Sequence, residues 1–176
     1  MTKKQKTIKL DWFKKLRKTK KALEQLEDKE LRQEILKAYR TKCHKPQWSI
    51  TRKDLADRVF SEYIRLNESK DGICKCVTCW AEMPWEQIQN WHFISRSNMR
   101  YRFLEINCHP QCQQCNVFLN WNYLKYTMYM INRYWLEETE FMIEDKRTKE
   151  YKQYEYEEMI IKWYWEIIEM KRKIKR

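Results

Sequence analysis

Two C-x-x-C pairs constrain the fold of this chain more than any other feature of its sequence. Cys76 and Cys79 form the first pair, Cys112 and Cys115 form the second, and thirty-two residues separate the two pairs. Each pair can offer two thiolates to one metal ion, and four thiolates complete the tetrahedral shell of a structural zinc site. We therefore predict a structural Zn²⁺ site at these four cysteines, with Cys74 as an alternative to Cys76.

The two ends of the chain are strongly basic. The formal net charge is +12, residues 1–21 hold ten Lys or Arg against the single acid Asp11, and residues 171–176 add five more. Basic ends are typical of proteins that bind a polyanion such as DNA. A solvated tail is the alternative interpretation.

The cysteines are predicted to be reduced thiols. The chain starts MTKKQKTIKLDWFKK, which lacks the apolar stretch of a signal peptide. It also lacks the run of about eighteen apolar residues that a membrane span requires. The sequence therefore predicts a soluble, cytoplasmic protein with no membrane partner and without disulfides.

Most of the chain is predicted to be helical, because it contains one glycine and three prolines. Apolar spacing predicts helices over residues 13–40, 52–67, about 113–133 and 153–174. Thr51 stands three residues before Asp54, which is the spacing of a capping box at the start of the second helix. Residues 73–107 indicate short strands and loops. The predicted fold class is α+β and mostly helical, with a small zinc-anchored module between N-terminal and C-terminal helices.

The last predicted helix carries apolar residues spaced alternately four and three apart. They are Tyr156, Ile160, Trp163, Ile167, Met170 and Ile174. This spacing suits a helix that packs on its own domain, and it also suits a coiled-coil seam. We expect packing on the chain's own domain, and a homodimer through this seam is the alternative.

The insert between the cysteine pairs carries a second group of chemically active residues. His92 lies in the segment NWHFISRS, Asn107 precedes the second pair by five residues, and Asn116 follows that pair directly. A lone histidine among aromatic residues is usually a packed core residue. The order His92, Asn107, C-x-x-C, Asn116 nevertheless resembles the HNH or ββα-metal nucleases, in which two strands and a helix hold a catalytic divalent ion beside a structural zinc.

That resemblance implies a catalytic role for each of the three residues. His92 would be the general base that takes a proton from the attacking water, Asn107 would orient its imidazole, and Asn116 would give an oxygen to Mg²⁺ or Mn²⁺. Asn90 and His109 are candidates for a second protein ligand, and water with DNA phosphate is the alternative. His109 could equally contact phosphate or support the zinc site.

Three arginines surround the His92 segment, namely Arg96, Arg100 and Arg102. Their guanidinium groups could clamp phosphates on either side of a cut, and a solvated loop is the alternative. The tyrosines and the tryptophan of residues 123–135 have helical spacing. They are predicted to belong to the core rather than to stack on bases.

The flanking sequence narrows the resemblance to one family. FSEYIRLNESKDGICKCVTC, HFISRS and NCHPQCQQCN together resemble the NinG, or Rap, recombination proteins of lambdoid and related phages, over roughly residues 55–135. The resemblance implies a structure-selective DNA endonuclease that acts on branched recombination intermediates such as Holliday junctions and D-loops. It also implies the cytoplasm of the host cell as the location and recombination proteins as partners.

Two other functions stay open. One is a non-catalytic, zinc-containing DNA-binding accessory protein of recombination, and the other is a sequence-directed HNH endonuclease. Two departures bear on this choice. The phage resolvase endonuclease VII, a more distant resemblance, has an acidic metal ligand where this chain has Trp91, and related sequences carry glycine where this chain has Trp121.

The predicted domain organisation has three parts. Residues 1–50 form a basic N-terminal helical extension, residues 51–135 form the zinc-anchored ββα-metal nuclease domain, and residues 136–176 form a C-terminal helical extension with a basic tail. Because resolving a four-way junction takes two opposed cuts, a two-fold homodimer would suit this function.

Overall fold

The computed structural model describes residues 28–39 and 49–174, and the chain divides into two compact units, residues 1–50 and 51–176. In the first unit, helix α1 spans Asp28–Tyr39. This confirms the C-terminal half of the helix predicted over residues 13–40. The earlier half and the basic N-terminal end lie outside the described residues.

Helix α2 opens the second unit and spans Arg52–Asn67, as predicted. It starts at the predicted capping box: the Asp54 N–H donates to Thr51 Oγ1 over 3.1 Å, and the Thr51 N–H donates to Asp54 Oδ2 over 3.0 Å. These bonds satisfy amides that the first helical turn leaves without partners. The predicted apolar face is buried, with Leu55, Val59, Phe60, Tyr63 and Ile64 in the core.

Two small antiparallel hairpins follow α2. The first pairs β1 (Ile73–Lys75) with β2 (Glu82–Pro84). The second pairs β3 (Gln89–His92) with β4 (Cys108–Gln111), in a register that sets Gln89 opposite Gln111 and His92 opposite Cys108. A turn of 3₁₀-helix, Glu105–Asn107, leads into β4. Residues 73–107 are thus short strands and loops, as predicted.

The helix predicted over residues 113–133 is broken in the structure. A π-helical turn spans Gln114–Phe118, a 3₁₀ turn spans Asn120–Asn122, and helix α3 spans Tyr123–Tyr134. The break has a backbone cause, because residues 120, 121 and 122 all take positive φ angles, of 45°, 69° and 46°. Three successive left-handed residues cannot continue a right-handed helix.

The C-terminal part of the chain holds helix α4 (Leu136–Glu144) and helix α5 (Gln153–Ile174). Helix α5 packs on α2, where the Trp163 ring lies 4.6 Å from the Phe60 ring, centroid to centroid. Ile160 and Ile167 are buried on the same side of α5. The apolar seam therefore packs on the chain's own unit, as expected, and the homodimer stays a proposal.

The predicted fold class is confirmed: the described residues form a mostly helical α+β structure with two small hairpins. The second hairpin and α3 cover a compact cluster of buried residues, namely Val77, Phe93, Tyr101, Tyr126, Met130 and Met142. None of the described helices is both long enough and apolar enough to cross a membrane.

Candidate metal centre and active site

The four predicted zinc ligands converge on one point. The Sγ atoms of Cys76, Cys79, Cys112 and Cys115 all lie within 4.8 Å of one another, and those of Cys79 and Cys112 are 3.6 Å apart. A tetrahedral zinc with Zn–S bonds of about 2.3 Å sets its sulfurs roughly 3.8 Å apart. The donor set and its spacing therefore fit a structural zinc ion.

Cys74 is not part of this centre. Its thiol points away and donates to the Arg65 carbonyl over 2.9 Å. Cys76 is thus the fourth thiol of the cluster, together with Cys79, Cys112 and Cys115.

The fold ties the metal centre to the second hairpin. The Val77 N–H donates to the Pro110 carbonyl over 3.0 Å, and the Cys112 N–H donates to Cys76 Sγ over 3.3 Å. Asn122 Nδ2 lies 3.6 Å from Cys115 Sγ on the other side. A metal ion at this point would join the turn after β1, the end of β4 and the helical segment that follows.

The thiols of Cys76, Cys79 and Cys112 differ in acidity. Burial alone would raise the pKa of Cys76, but hydrogen bonds from the Cys112 N–H and from Thr78 lower it to about 6. Burial and the neighbouring thiols raise the pKa of Cys79 to about 12, and burial also raises the pKa of Cys112. Cys76 is therefore a thiolate at neutral pH, whereas metal binding must displace a proton from Cys79 and from Cys112.

His92 ends β3 and is held by the backbone of a neighbouring loop. Its Nε2 lies 2.9 Å from the Arg102 carbonyl. Burial, together with the charges of Arg96 and Arg102, lowers the pKa of His92 to about 4. The imidazole is therefore neutral at pH 7, and because Nε2 must donate to the carbonyl, Nδ1 keeps its lone pair.

Asn107 is fully buried and fixes the loop that holds His92. Its Oδ1 accepts from the Ile94 N–H over 2.6 Å, and its Nδ2 donates to the carbonyls of Ile94 and Tyr101, each over 3.0 Å. Tyr101 directly precedes Arg102, whose carbonyl accepts from His92. Asn107 thus positions the imidazole through the loop rather than by touching it.

The three arginines around His92 are not equivalent. Arg102 makes a two-point ion pair with Asp57 of α2, with Nε–Oδ1 at 2.8 Å, and Arg100 Nε lies 2.8 Å from Asp145 Oδ2. Within residues 28–39 and 49–174, Arg96 alone of the three has no carboxylate partner. Its guanidinium lies 5.8 Å from the centroid of the Trp91 ring.

Asn116 lies in the π-helical turn and contacts the start of β3. Its Nδ2 donates to Gln89 Oε1, while its Oδ1 is buried without a hydrogen-bond partner. Gln111 lies opposite Gln89, and its Oε1 is likewise buried and unpartnered. Mg²⁺ and Mn²⁺ accept amide oxygens as ligands, so each of these two oxygens suits such an ion by its chemistry, and phosphate would have to balance the charge of the ion.

His109 and Asn90 are the two candidates for a second protein ligand of the divalent ion. His109 is fully buried, and its Nδ1 and Nε2 face the hydroxyls of Tyr126 and Tyr134 at 3.1 and 3.0 Å. Both ring nitrogens are thus engaged inside the protein. Asn90 Oδ1 is buried without a partner, but Asn90 alternates with Gln89 along β3 and so projects from the other face of the hairpin.

The structure brings the predicted site residues together in two groups. One group holds His92, Asn107 and the Arg102 loop, and the other holds Asn116 beside Gln89. His92 lies three residues after Gln89 along β3, or about 10 Å, and by the same alternation it projects from the face of Asn90, opposite to Gln89. A substrate phosphate with its attached groups would have to bridge this distance and reach both faces at the end of β3.

Sequence reasoning missed Asp57, Gln89 and Gln111. Asp57 lies on a helix that the sequence did predict, but its partner Arg102 is 45 positions away. Gln111 stands directly before the ligand Cys112, and its buried side chain donates to the Trp121 carbonyl over 2.6 Å. A polar residue beside a metal ligand was the only signal available.

The aromatic residues of 123–135 divide between core and surface. Tyr126 is buried, as predicted, but Tyr123 is half-exposed and Trp135 is 81% exposed. The prediction that this set belongs to the core is wrong for Trp135, because it stands at the turn between α3 and α4 with a φ of 69°.

Comparison with known proteins identifies a matching family. The family model described as "NinG: Bacteriophage Lambda NinG protein" covers residues 1–173. No curated protein and no solved structure matches the chain.

Proposed function

Because this chain belongs to the Bacteriophage Lambda NinG protein family, we propose that it is a metal-dependent, structure-selective DNA endonuclease with an HNH-like ββα-metal site. Its substrates would be branched recombination intermediates of the Holliday-junction or D-loop type. The reaction is hydrolysis of a phosphodiester bond. The observation that carries the proposal is the state of His92, which is neutral at pH 7 and held with its Nδ1 lone pair available.

His92 would act as the general base. Nδ1 takes a proton from the water that attacks the phosphorus, while Nε2–H stays bonded to the Arg102 carbonyl and keeps the ring in place. As the imidazole becomes positively charged, that carbonyl dipole stabilises the new charge. The same bond therefore orients the base and favours the proton transfer.

Asn107 and Asp57 would act as positioning residues. Asn107 holds the loop through Ile94 and Tyr101, and Asp57 holds it through the Arg102 guanidinium. Together they fix the Arg102 carbonyl on which the orientation of His92 depends. Errors of about 1 Å at a reacting group can cost a hundredfold in rate, so such bracing contributes to catalysis.

Asn116 would hold a Mg²⁺ or Mn²⁺ ion through its buried Oδ1, with Gln111 Oε1 as a second oxygen. When bound, such an ion neutralises charge on the scissile phosphate and stabilises the leaving oxygen. Gln89 fixes the orientation of the Asn116 amide by accepting from its Nδ2. The four cysteines would hold the structural zinc that keeps this helical segment against β4.

Arg96 is the arginine best suited to bind DNA phosphate, because Arg100 and Arg102 already pair with carboxylates. The basic ends would add affinity without sequence preference. In this proposal the protein acts in the cytoplasm of the host cell, with recombination proteins as partners. A two-fold homodimer would place two such sites on one junction.

The experiment is a nicking assay on a synthetic four-way junction, a D-loop and a linear duplex of the same sequence, each with added Mg²⁺ or Mn²⁺. We expect the protein to cut the branched substrates, and we expect His92→Ala to lose about 100- to 10,000-fold in rate while junction affinity and zinc content persist. Asn116→Asp, which keeps an oxygen ligand and adds charge, should retain metal-dependent cleavage that Asn116→Ala loses.

Each alternative function predicts another result. A sequence-directed HNH endonuclease would cut the linear duplex at a defined site. A non-catalytic zinc-containing DNA-binding protein of recombination would bind the junction and cut nothing. One observation favours that second alternative: the described residues around Asn116 offer amide oxygens but no cluster of carboxylates.

A further inference from the structure

Trp91 and Trp121 form an aromatic surface that the proposed cleavage chemistry does not use. Their ring centroids lie 5.9 Å apart and their planes meet at 28°, which is an offset stack. Trp91 directly precedes His92, and Trp121 follows Asn116 by five residues. Trp121 is still 52% exposed within this stack, so much of its ring surface is open to a ligand.

The backbone conformation of Trp121 is strained. Trp121 has a φ of 69°, and the asparagines on either side also have positive φ angles. A bulky residue rarely takes this conformation, and such strain persists only where the surroundings impose it. Here the buried Gln111 provides the restraint, because its Nε2 donates to the Trp121 carbonyl over 2.6 Å.

A cation without a carboxylate partner borders this surface. The Arg96 guanidinium lies 5.8 Å from the centroid of the Trp91 ring, and it makes no ion pair within the described part of the chain. An exposed aromatic ring beside an available guanidinium is the combination by which proteins bind unpaired nucleotides. The base stacks on the ring, and the cation binds the phosphate.

We propose that Trp121, supported by Trp91, stacks an unpaired nucleobase of branched DNA, and that Arg96 binds the phosphate of that nucleotide. The identity of the polymer as branched DNA rests on the proposed function, but the stacking needs neither a divalent ion nor cleavage. Inside a duplex both faces of each base are covered by neighbours. The surface would therefore favour a branch point over a continuous duplex.

The test measures DNA binding by the full-length, zinc-loaded protein without added Mg²⁺ or Mn²⁺. One substrate is a four-way junction with an unpaired 2-aminopurine at the branch, and the other is a fully paired duplex of the same sequence. The variants are Trp121→Gly, Trp121→Phe and the matched control Trp135→Gly. Trp135 has the same φ of 69° and is 81% exposed, so its substitution removes an exposed indole and relieves backbone strain in the same way.

We expect Trp121→Gly to weaken junction binding about 5-fold or more and to leave duplex binding unchanged. Wild type and Trp121→Phe should quench the 2-aminopurine emission, whereas Trp121→Gly should not. Trp135→Gly should behave like wild type. Because glycine adopts a positive φ without strain, Trp121→Gly should fold, which zinc content and thermal melting will check.

Three results would overturn the proposal: unchanged junction affinity in Trp121→Gly, an equal loss in Trp135→Gly, or an equal loss on the duplex. The outcome is separate from that of the nicking assay. Stacking without cleavage in Mg²⁺ would refute the endonuclease and keep the stacking site. Normal cleavage with unchanged binding in Trp121→Gly would refute the stacking site and keep the endonuclease.

Discussion

Removal of the metal from the four-cysteine centre should cost the unit of residues 51–176 a large part of its stability. The perturbation is a zinc chelator on the wild-type protein, or the substitution Cys112→Ser. Cys112 lies 36 positions after Cys76, and the two are joined through the centre and by the bond from the Cys112 N–H to Cys76 Sγ. A bound metal therefore closes a loop of that length.

The length of this loop sets a lower bound for the loss of stability on metal removal. In the chain-entropy model that is used for disulfides, a crosslink that closes a loop of this length lowers the conformational entropy of the unfolded chain. The free energy of the unfolded state rises by about 4 kcal/mol as a result. Domains of this size are stable by about 5–15 kcal/mol in total. At about 2.1 cal/mol/K of unfolding entropy per residue, 4 kcal/mol corresponds to a fall of roughly 15 °C in Tm.

The assay combines zinc stoichiometry with thermal melting followed by circular dichroism. Wild type should hold one zinc per chain, and both Cys112→Ser and Cys76→Ser should lose it with the expected fall in Tm. Cys74→Ser is the matched control, because Cys74 is a buried thiol outside the centre, and it should keep its zinc. Less than one zinc per chain, or a Tm that the chelator does not change, would refute the reasoning.

Lowering the pH should destabilise the unit through His92. Its pKa is about 4 when folded, against an ordinary 6.5, so only the unfolded chain gains the proton in that window. The contribution of His92 to stability should fall by about 2 kcal/mol from pH 8 to pH 5, and denaturant titrations of His92→Gln should lack that component. Gly72→Ala should cost about 1–2 kcal/mol in the same titrations, because Gly72 has a φ of 81° and a Cβ there would lie 3.3 Å from Ile174 Cγ2; wild-type stability would contradict this. Asp57→Asn should slow cleavage by up to about 100-fold with junction affinity retained, because the Arg102 loop loses its anchor. An equal loss of affinity would instead indicate a role in binding.

The sequence predicted those features whose signals are local. Thr51 and Asp54 lie one helical turn apart, so the start of α2 could be predicted to the residue. The zinc ligands were predictable for the same reason, because each C-x-x-C pair carries its own spacing. The apolar seam of α5 predicted a buried face, which Trp163 fills against α2.

Features that depend on distant partners could not be predicted in this way. Arg102 was expected to bind phosphate, but in the structure it pairs with Asp57. Because Asp57 is 45 positions away in the sequence, no local pattern indicated this ion pair. The segment that breaks before α3 contains no glycine or proline, and the Trp121 carbonyl within it accepts a hydrogen bond from the side chain of Gln111. The engagement of both His109 nitrogens likewise depends on tyrosines 17 and 25 positions away.

The segment that connects β3 to β4 leaves little freedom for protein engineering. It is fastened to the Asn107 side chain through Ile94 and Tyr101, and to α2 through Arg102. Inserting or deleting a single residue there would shift the carbonyl that faces His92, so exchange of this loop between homologues should fail. Attempts to retune substrate choice would do better to vary side chains such as Arg96, which leaves the backbone as it is.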